Sequence, residues 1–404
     1  MTGHRESEGA RPRILALVGT RPEVIKMAPV VRALRGRQEG GEVSVQVAFS
    51  GQHTELVDQA LATFSVELDH DLGGGTGPGG LSAFGDPSSE RGALDPRLTR
   101  EDRDLYDLAH GLMDGLRRVI GEARPDVVVV QGDTATVFFG ALVSFLEGLE
   151  LAHVEAGLRS GEKWSPFPEE LFRRMTDVVA DYHFAPTRYA AENLRAEGIP
   201  PATIHVTGNT VVDAVRTAAA VQEERGVRNP ELARALEGRR LRGDREAGGR
   251  DLVLLTAHRR ESFGEPIREL FRTVRELADA VPDVEVLFPV HPNPHVAGPA
   301  RELLAGHERI HLVEPLDYLD LVAALRRARL VLTDSGGIQE EAPAFGTPVL
   351  VLRDVTERPE GVDAGVARLV GTERERILAE ALPLLRDPKV HAAVVRVANP
   401  YGDG

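Results

Sequence analysis

The stretch ARLVLTDSGGIQEEAP, residues 328–343, changes character twice. The apolar run Leu330-Val331-Leu332 stops at Thr333, an acid, a serine and two glycines follow, and paired glutamates then open a helical pattern. A strand buried on both faces reads as a continuous Val/Leu/Ile run, without the alternation of a half-exposed strand. Two glycines after it allow close backbone approach, and the helix beyond presents free N–H groups and its positive end. This is one βα unit of a parallel sheet.

The same rhythm recurs in both halves of the chain. RILALVG (13–19), VSVQVAFSG (43–51), PDVVVVQGD (125–133), LAHVEAG (151–157), DYHFAPT (181–187) and TIHVTGN (203–209) make a first series. DLVLLTAH (251–258), VEVLFPVHP (284–292), RIHLVEP (309–315), ARLVLTDSGG (328–337) and TPVLVLRD (347–354) make a second. The expected fold is α/β, with two doubly wound parallel-sheet, Rossmann-like domains in series. Two domains also suit 404 residues, which exceed what one small core organises.

The seam is expected within HVTGNTVVDAV (205–215). That gives a tail over 1–12, a first domain over 13–207, a second over 208–385, and a segment over 386–404 expected to return toward the first. The charged stretch 222–250 reads as an exposed helix and loop opening the second domain. Residues 73–98, with seven glycines between Gly73 and Gly85, read as a flexible surface insertion, with a lid or partner-binding loop as the alternative.

Composition excludes several classes. A net charge of −15 argues against a nucleic-acid or anionic-membrane surface. Apolar residues at 42% with only 5% aromatics suit an α/β protein rich in Val, Leu and Ala. The absence of cysteine rules out disulfides, thiolate catalysis and Cys-ligated zinc, and fits a reducing cytoplasm. The opening MTGHRESEGARPR has no apolar h-region, and no run approaches the eighteen or so apolar residues of a membrane helix.

In open α/β sheets, ligands bind beyond the carboxyl ends of the strands, and the unusual polar residues gather at those ends. Gly19, Thr20, Arg21 and Lys26 follow the first strand; Asp133 ends PDVVVVQGD; Glu155 and Arg159 lie in HVEAGLRSG. Ser335, Gly336 and Gly337 offer a phosphate a hydroxyl and backbone amides, with Glu340 and Glu341 placed for ribose hydroxyls. Arg21, His258, Arg259, Arg260 and Arg358 suit a diphosphate.

Each residue alone has a plainer reading. Arginines are usually solvated, His258 packs or caps, and His291 simply ends a strand. Asp133 before Thr134 reads as a helix cap, and Pro168 before Glu169 as a helix start. The histidine spacing matches no metal motif. Three acids beside a phosphate face are less easily dismissed together, because carboxylates repel phosphate yet can take and return protons.

Taken in order, GTRPEVIKMAPV, GQHTELVDQAL, GDTATVFF, HVEAGLRSG, PFPEE, TGNTVVDA, TAHRRESFG, VHPNP, TDSGGIQEEAP and RDVTERPEG resemble the non-hydrolysing UDP-N-acetylglucosamine 2-epimerases. The resemblance runs from residue 13 to the closing NPYGDG, with 73–98 as its main gap. It implies a glycosyltransferase-B architecture of two Rossmann-like domains facing across a cleft. It also implies inversion at C2 of UDP-GlcNAc through elimination of UDP and re-addition. No cofactor or metal is implied, and the expected state is a cytoplasmic homodimer with a UDP-sugar as its partner.

By motif match, the family's catalytic groups fall on Asp133, Glu155, Glu169 and His258. Its substrate-binding groups fall on Arg21, Lys26, Arg173, Ser335, Gly336, Gly337, Glu341 and Arg358, and a second, allosteric substrate position falls on Gln52. Departures are also present. Phe172 stands where many members carry asparagine, which implies an altered contact to the sugar or its N-acetyl group. The glycine-rich insertion replaces a stretch resembling Asp-Leu-Asn-Ile-Met, and Thr54 stands where a basic residue is frequent; both argue against activation by a second substrate molecule. The chain stops at Gly404, where members generally carry one more helix, so a shortened C-terminus is expected.

Three alternatives follow from these residues. A relative acting on another NDP-sugar, or hydrolysing the intermediate to ManNAc and UDP, is suggested by Phe172. A glycosyltransferase of the same fold needs no base at C2. A nucleotide-sugar sensor would lack the acids that this chain retains.

Overall fold

Every apolar run named above contains a strand, and every strand pairs in parallel with its neighbours. The computed structural model describes residues 11–51, 55–72, 100–237 and 249–403. The insertion 73–98, Gln52 and Thr54 lie outside the described residues. The chain divides into two units, Met1–Thr210 and Val211–Gly404.

The first unit holds β1 (Arg13–Val18), β2 (Ser44–Phe49), β3 (His70–Asp71), β4 (Val127–Gln131), β5 (Glu150–Val154), β6 (Tyr182–Ala185) and β7 (Ile204–Val206). They form a seven-stranded sheet in the order β3-β2-β1-β4-β5-β6-β7. The second unit holds β8 (Asp251–Thr256), β9 (Val284–Pro289), β10 (Ile310–Val313), β11 (Ala328–Thr333), β12 (Val349–Val351) and β13 (Ala367–Leu369), in the order β10-β9-β8-β11-β12-β13. Both sheets are doubly wound. The order reverses between β1 and β4 in one and between β8 and β11 in the other, which makes these the topological switch points.

Strand β8 shows why the runs lack alternation. Leu252 and Leu254 enter one apolar cluster, while Val253 and Leu255 enter another on the opposite face, and all four are buried. Each such side chain contributes roughly 1.5–3 kcal/mol of burial. The segment after residue 222 departs from the reading of an exposed helix. Asn229 caps the helix Pro230–Leu236 by accepting the N–H groups of Glu231 and Leu232. That helix buries Leu232, Ala235 and Leu236 against the cluster containing Leu252 and Leu254. Among the described residues no helix is long and apolar enough to cross a membrane.

Gly157, just beyond β5, has φ +86°, and a Cβ there would collide with the carbonyl oxygen of Ala190 and stand 2.9 Å from Leu194 Cγ. Both the left-handed backbone and the close approach demand glycine. Gly157→Ala is expected to lower unfolding free energy by about 2–4 kcal/mol, read from urea denaturation. An unchanged midpoint would contradict this packing.

Candidate active site

The first switch point gathers polar residues from three strand ends. Helix Arg21–Glu39 begins at once after β1, with Thr20 at its N-cap and Pro22 in its first turn. Glu23, 2% exposed, turns its carboxylate back on that start. One oxygen accepts the N–H groups of Gly19 (2.5 Å) and Thr20 (3.2 Å), and the other accepts the Thr134 hydroxyl (2.5 Å). Burial pushes the Glu23 carboxyl up from its ordinary 4.5 to about 7, against the pull of those hydrogen bonds and with help from the Asp133 charge. The signal for Glu23 in the sequence is the capping-box pattern Thr20-x-x-Glu23.

One turn on, Lys26 reaches Glu155. Its Nζ lies 2.8 Å from both carboxylate oxygens, and the Gln131 amide donates to Glu155 Oε2 as well. Lys26, read from the sequence as a substrate-binding residue, therefore rests on one of the three acids. Glu155 itself is buried and has φ +68°, a left-handed conformation for a residue other than glycine. Its N–H is fixed to Phe184 O at 3.0 Å.

The parallel register Gln131↔Val154 sets Asp133 and Glu155 just past adjacent strand ends. Asp133 accepts a hydrogen bond from buried Arg173, which also lies 3.3 Å from Glu170. Glu170 in turn accepts the Ser160 N–H at 3.0 Å. Arg173 belongs to helix Glu169–Val179, so Glu169, at its first position and half-buried, stands one turn away on the element that grips Asp133. Phe172 of this helix is buried, stacked on Phe138 with centroids 4.8 Å apart and edge-on to Phe139 at 6.3 Å. Its ring packs this helix against helix Ala135–Leu146.

The second switch point is built around Asp334, to which the motifs assign no role. This residue is 1% exposed, and one oxygen accepts the N–H groups of His258 (2.6 Å) and Arg259 (2.8 Å). The other lies 2.9 Å from His258 Nδ1. Burial alone would raise the Asp334 carboxyl, but the His258 ring and the two amides hold it below the usual range. The His258 ring is 41% exposed and stacks on His291 at 5.6 Å. Hydroxyls of Thr256 and Thr333, at the ends of β8 and β11, meet at 2.6 Å and tie these strand ends together.

Beyond Asp334, Ser335 leads into helix Gly336–Glu341, its N–H held by Thr333 Oγ1 at 3.0 Å. Gly336 lies close under the Arg358 guanidinium: a Cβ would stand 2.7 Å from its Nη1, so a side chain here would displace that group. Arg358 donates to Glu340 (2.6 Å) and Glu357 (2.5 Å), so Glu340, expected as a ribose partner, has one oxygen engaged by an arginine. Although burial opposes it, the charges of Arg358 and Arg353 hold Glu357 well below the ordinary carboxylate range. Glu341 accepts the Tyr318 hydroxyl at 3.2 Å. The structure thus joins Lys26 to Glu155 and Arg173 to Asp133 at one switch point, with Arg21 opening the helix that carries Lys26 and Glu169 opening the helix that carries Arg173. It brings His258, Ser335, Gly336, Gly337, Glu341 and Arg358 to the other.

Two doubly wound, Rossmann-like units, with carboxylates at one switch point and a His–Asp pair and a clamped arginine at the other, define an α/β protein with polar groups placed where open sheets of this kind bind ligands. A family model described as UDP-N-acetylglucosamine 2-epimerase matches residues 92–404. The chain is 40% identical over 392 residues to the UDP-N-acetylglucosamine 2-epimerase of Bacillus subtilis (strain 168), covering 97% of this chain and 92% of that one. It is similar to the solved UDP-GlcNAc 2-epimerase of Neisseria meningitidis bound to UDP-GlcNAc, with TM-score 0.80, 36% identity and 97% and 96% of the two chains covered. It is also similar to S. aureus MnaA solved with UDP, with TM-score 0.79, 38% identity and coverage of 97% and 93%. The chain belongs to the UDP-N-acetylglucosamine 2-epimerase family.

The raised Glu23 carboxyl gives a pH signature. The folded chain holds this proton up to about 7, whereas the unfolded chain releases it near 4.5. Folding therefore binds a proton in that window, and stability falls as pH rises through it. The loss amounts to about 3.5 kcal/mol at most, from roughly 1.4 kcal/mol per pH unit. Glu23→Gln is expected to flatten this slope in urea titrations between the two pH values; an unaltered slope would contradict the assignment.

Proposed function

We propose that this chain inverts C2 of UDP-N-acetylglucosamine to give UDP-N-acetylmannosamine. The observation that carries the reading is the placing of Asp133 and Glu155 just past adjacent strand ends, gripped by Arg173 and Lys26, with Glu169 opening the helix that carries Arg173. A ring C2–H has no adjacent carbonyl to acidify it, so its removal has to accompany loss of the leaving group. A base takes the C2 proton while the C1–O bond to UDP breaks, which leaves a C1=C2 double bond in 2-acetamidoglucal. UDP then re-adds at C1 as a proton returns to C2 on the opposite face.

The carboxylates handle the proton and the oxocarbenium-like charge. In the second unit, Arg358 and the amides of Ser335, Gly336 and Gly337 suit the diphosphate, with Glu341 toward the ribose; in the first, Arg21 is a further cation suited to phosphate. His258, its Nδ1 turned to Asp334, offers Nε2 to the leaving group. Relatives solved with UDP-GlcNAc and with UDP support this substrate class. A cysteine-free sequence suits the reducing cytoplasm we assign it.

Proton NMR of the protein with UDP-GlcNAc in D₂O tests the reaction. UDP-ManNAc carrying deuterium at C2 is the expected product; free ManNAc and UDP would establish hydrolysis in its place. Asp133→Asn, Glu155→Gln and Glu169→Gln are each expected to lower turnover by about 10²–10⁴-fold with UDP binding retained. Near-wild-type turnover in all three would remove the acids from the chemistry.

We also propose a homodimer. Helix Glu169–Val179 exposes Leu171, Met175 and Val178, spaced four and three residues apart on one stripe. The helix beside it exposes Phe145 and Leu146 at 62% and 64%. Apolar surface grouped in this way on one pair of helices suits a protein partner. Light scattering is expected to give twice the chain mass for the wild type and the single-chain mass for Met175→Glu/Val178→Glu. A monomeric wild type at micromolar concentration would rule the dimer out.

A further inference from the structure

Two turns at the first switch point are joined by a hydrogen bond that neither following helix needs for itself. Thr134 stands at the N-cap of helix Ala135–Leu146 with φ −75° and ψ 173°. A threonine there ordinarily accepts an N–H from the first turn of its own helix. This one makes no such bond. Its hydroxyl is donated instead to Glu23 Oε1, at the start of a different helix.

Glu23 is more than its own helix requires. As a capping-box carboxylate it needs one oxygen for the backbone of the β1 turn, and Oε2 fills that role with Gly19 and Thr20. The second oxygen goes to Thr134. A buried carboxylate is a costly way to satisfy two backbone amides, since desolvation penalises its charge. What it achieves beyond capping is a rigid link between the turn carrying Arg21 and the turn carrying Asp133, the residue next to Thr134. Lys26, on the same helix, makes the parallel link to Glu155.

We propose that Glu23 and Thr134 are a positioning pair that sets Asp133 for its part in the reaction. The proposal rests on the reading of Asp133 as one of the proton-handling acids. Neither residue touches the sugar; both act through the turn that aims the Asp133 carboxylate. Misplacement of a reacting group by about 1 Å is enough to cost up to a hundredfold in rate.

The test is steady-state kinetics of the full chain with UDP-GlcNAc for Thr134→Val, Thr134→Ser and Asp133→Asn. Thr134→Val, nearly equal in volume and lacking only the hydroxyl, is expected to lower kcat by about ten- to a hundredfold with KM within about twofold. Thr134→Ser, which restores the hydroxyl, is expected to return kcat to within about threefold of wild type. A wild-type kcat in Thr134→Val, with or without a lower melting temperature, would overturn the proposal. So would equal losses in the Val and Ser variants. Should Thr134→Val not fold, Thr134→Ala carries the same expectation with no added group to accommodate. Asp133→Asn separates the two levels: if it keeps full turnover, the reading of Asp133 fails and the pair loses its object. If it is inactive while Thr134→Val is not, only the pair has failed.

Discussion

One wholly buried imidazole fixes the frame from which the first unit's acids project. His153 Nδ1 lies 2.6 Å from Asp177, and Nε2 lies 2.8 Å from the carbonyl oxygen of Gly132. Gly132 immediately precedes Asp133, and His153 lies two residues before Glu155, so one ring ties together both strand ends. Asp177 also accepts from Arg159 at 2.8 Å and from the Gly157 N–H at 3.2 Å. Burial would raise its carboxyl, but His153 and Arg159 hold it below the usual range. Removing one partner from such a network leaves a buried charge uncompensated, at about 3–5 kcal/mol.

The second unit solves the same problem with different residues. Polar groups at the carboxyl ends of buried strands lose water on one side and need partners on the other. Asp334 provides these by holding two backbone amides with one oxygen and facing the His258 ring with the other. Arg358 is set by Glu340 and Glu357 against the bare backbone of Gly336. In each unit a buried acid spans the strands flanking the switch point, and a more exposed functional group is aimed by it. That division suits a site that has to be rigid before its ligand arrives.

The fold was legible because burial on both faces leaves an unmistakable trace: Val and Leu runs with no alternation, each closed by glycine or a polar turn. Strand β3, with two residues, and β13, with only Ala-Arg-Leu, carry too little apolar pattern to read. Helix Pro230–Leu236 was masked by the arginines and glutamates around it, although its leucines face the core. The exposed ends of the chemistry were legible through motif. Their supports were less so, because a buried polar network has no period and its partners are distant in sequence. Glu23 with Thr134 and His153 with Asp177 are pairs that only the folded chain joins. Phe172 shows the reverse case: an aromatic standing where a polar contact was expected is accounted for by stacking on Phe138.

Glu155 shows which constraint prevails where folding and chemistry conflict. Its backbone lies at φ +68°, where a residue other than glycine costs about 1–3 kcal/mol. Glycine would relieve that strain, and the neighbouring Gly157, also at positive φ, shows that the turn accommodates it. A glutamate here adds a second penalty by bringing a carboxylate into a buried site, and Lys26 and Gln131 are needed to satisfy it. Fold stability alone favours neither the side chain nor the two donors that hold it. Their presence together is explained if the strained turn exists to fix a carboxylate at the switch point, with the rest of the sheet stable enough to hold it there.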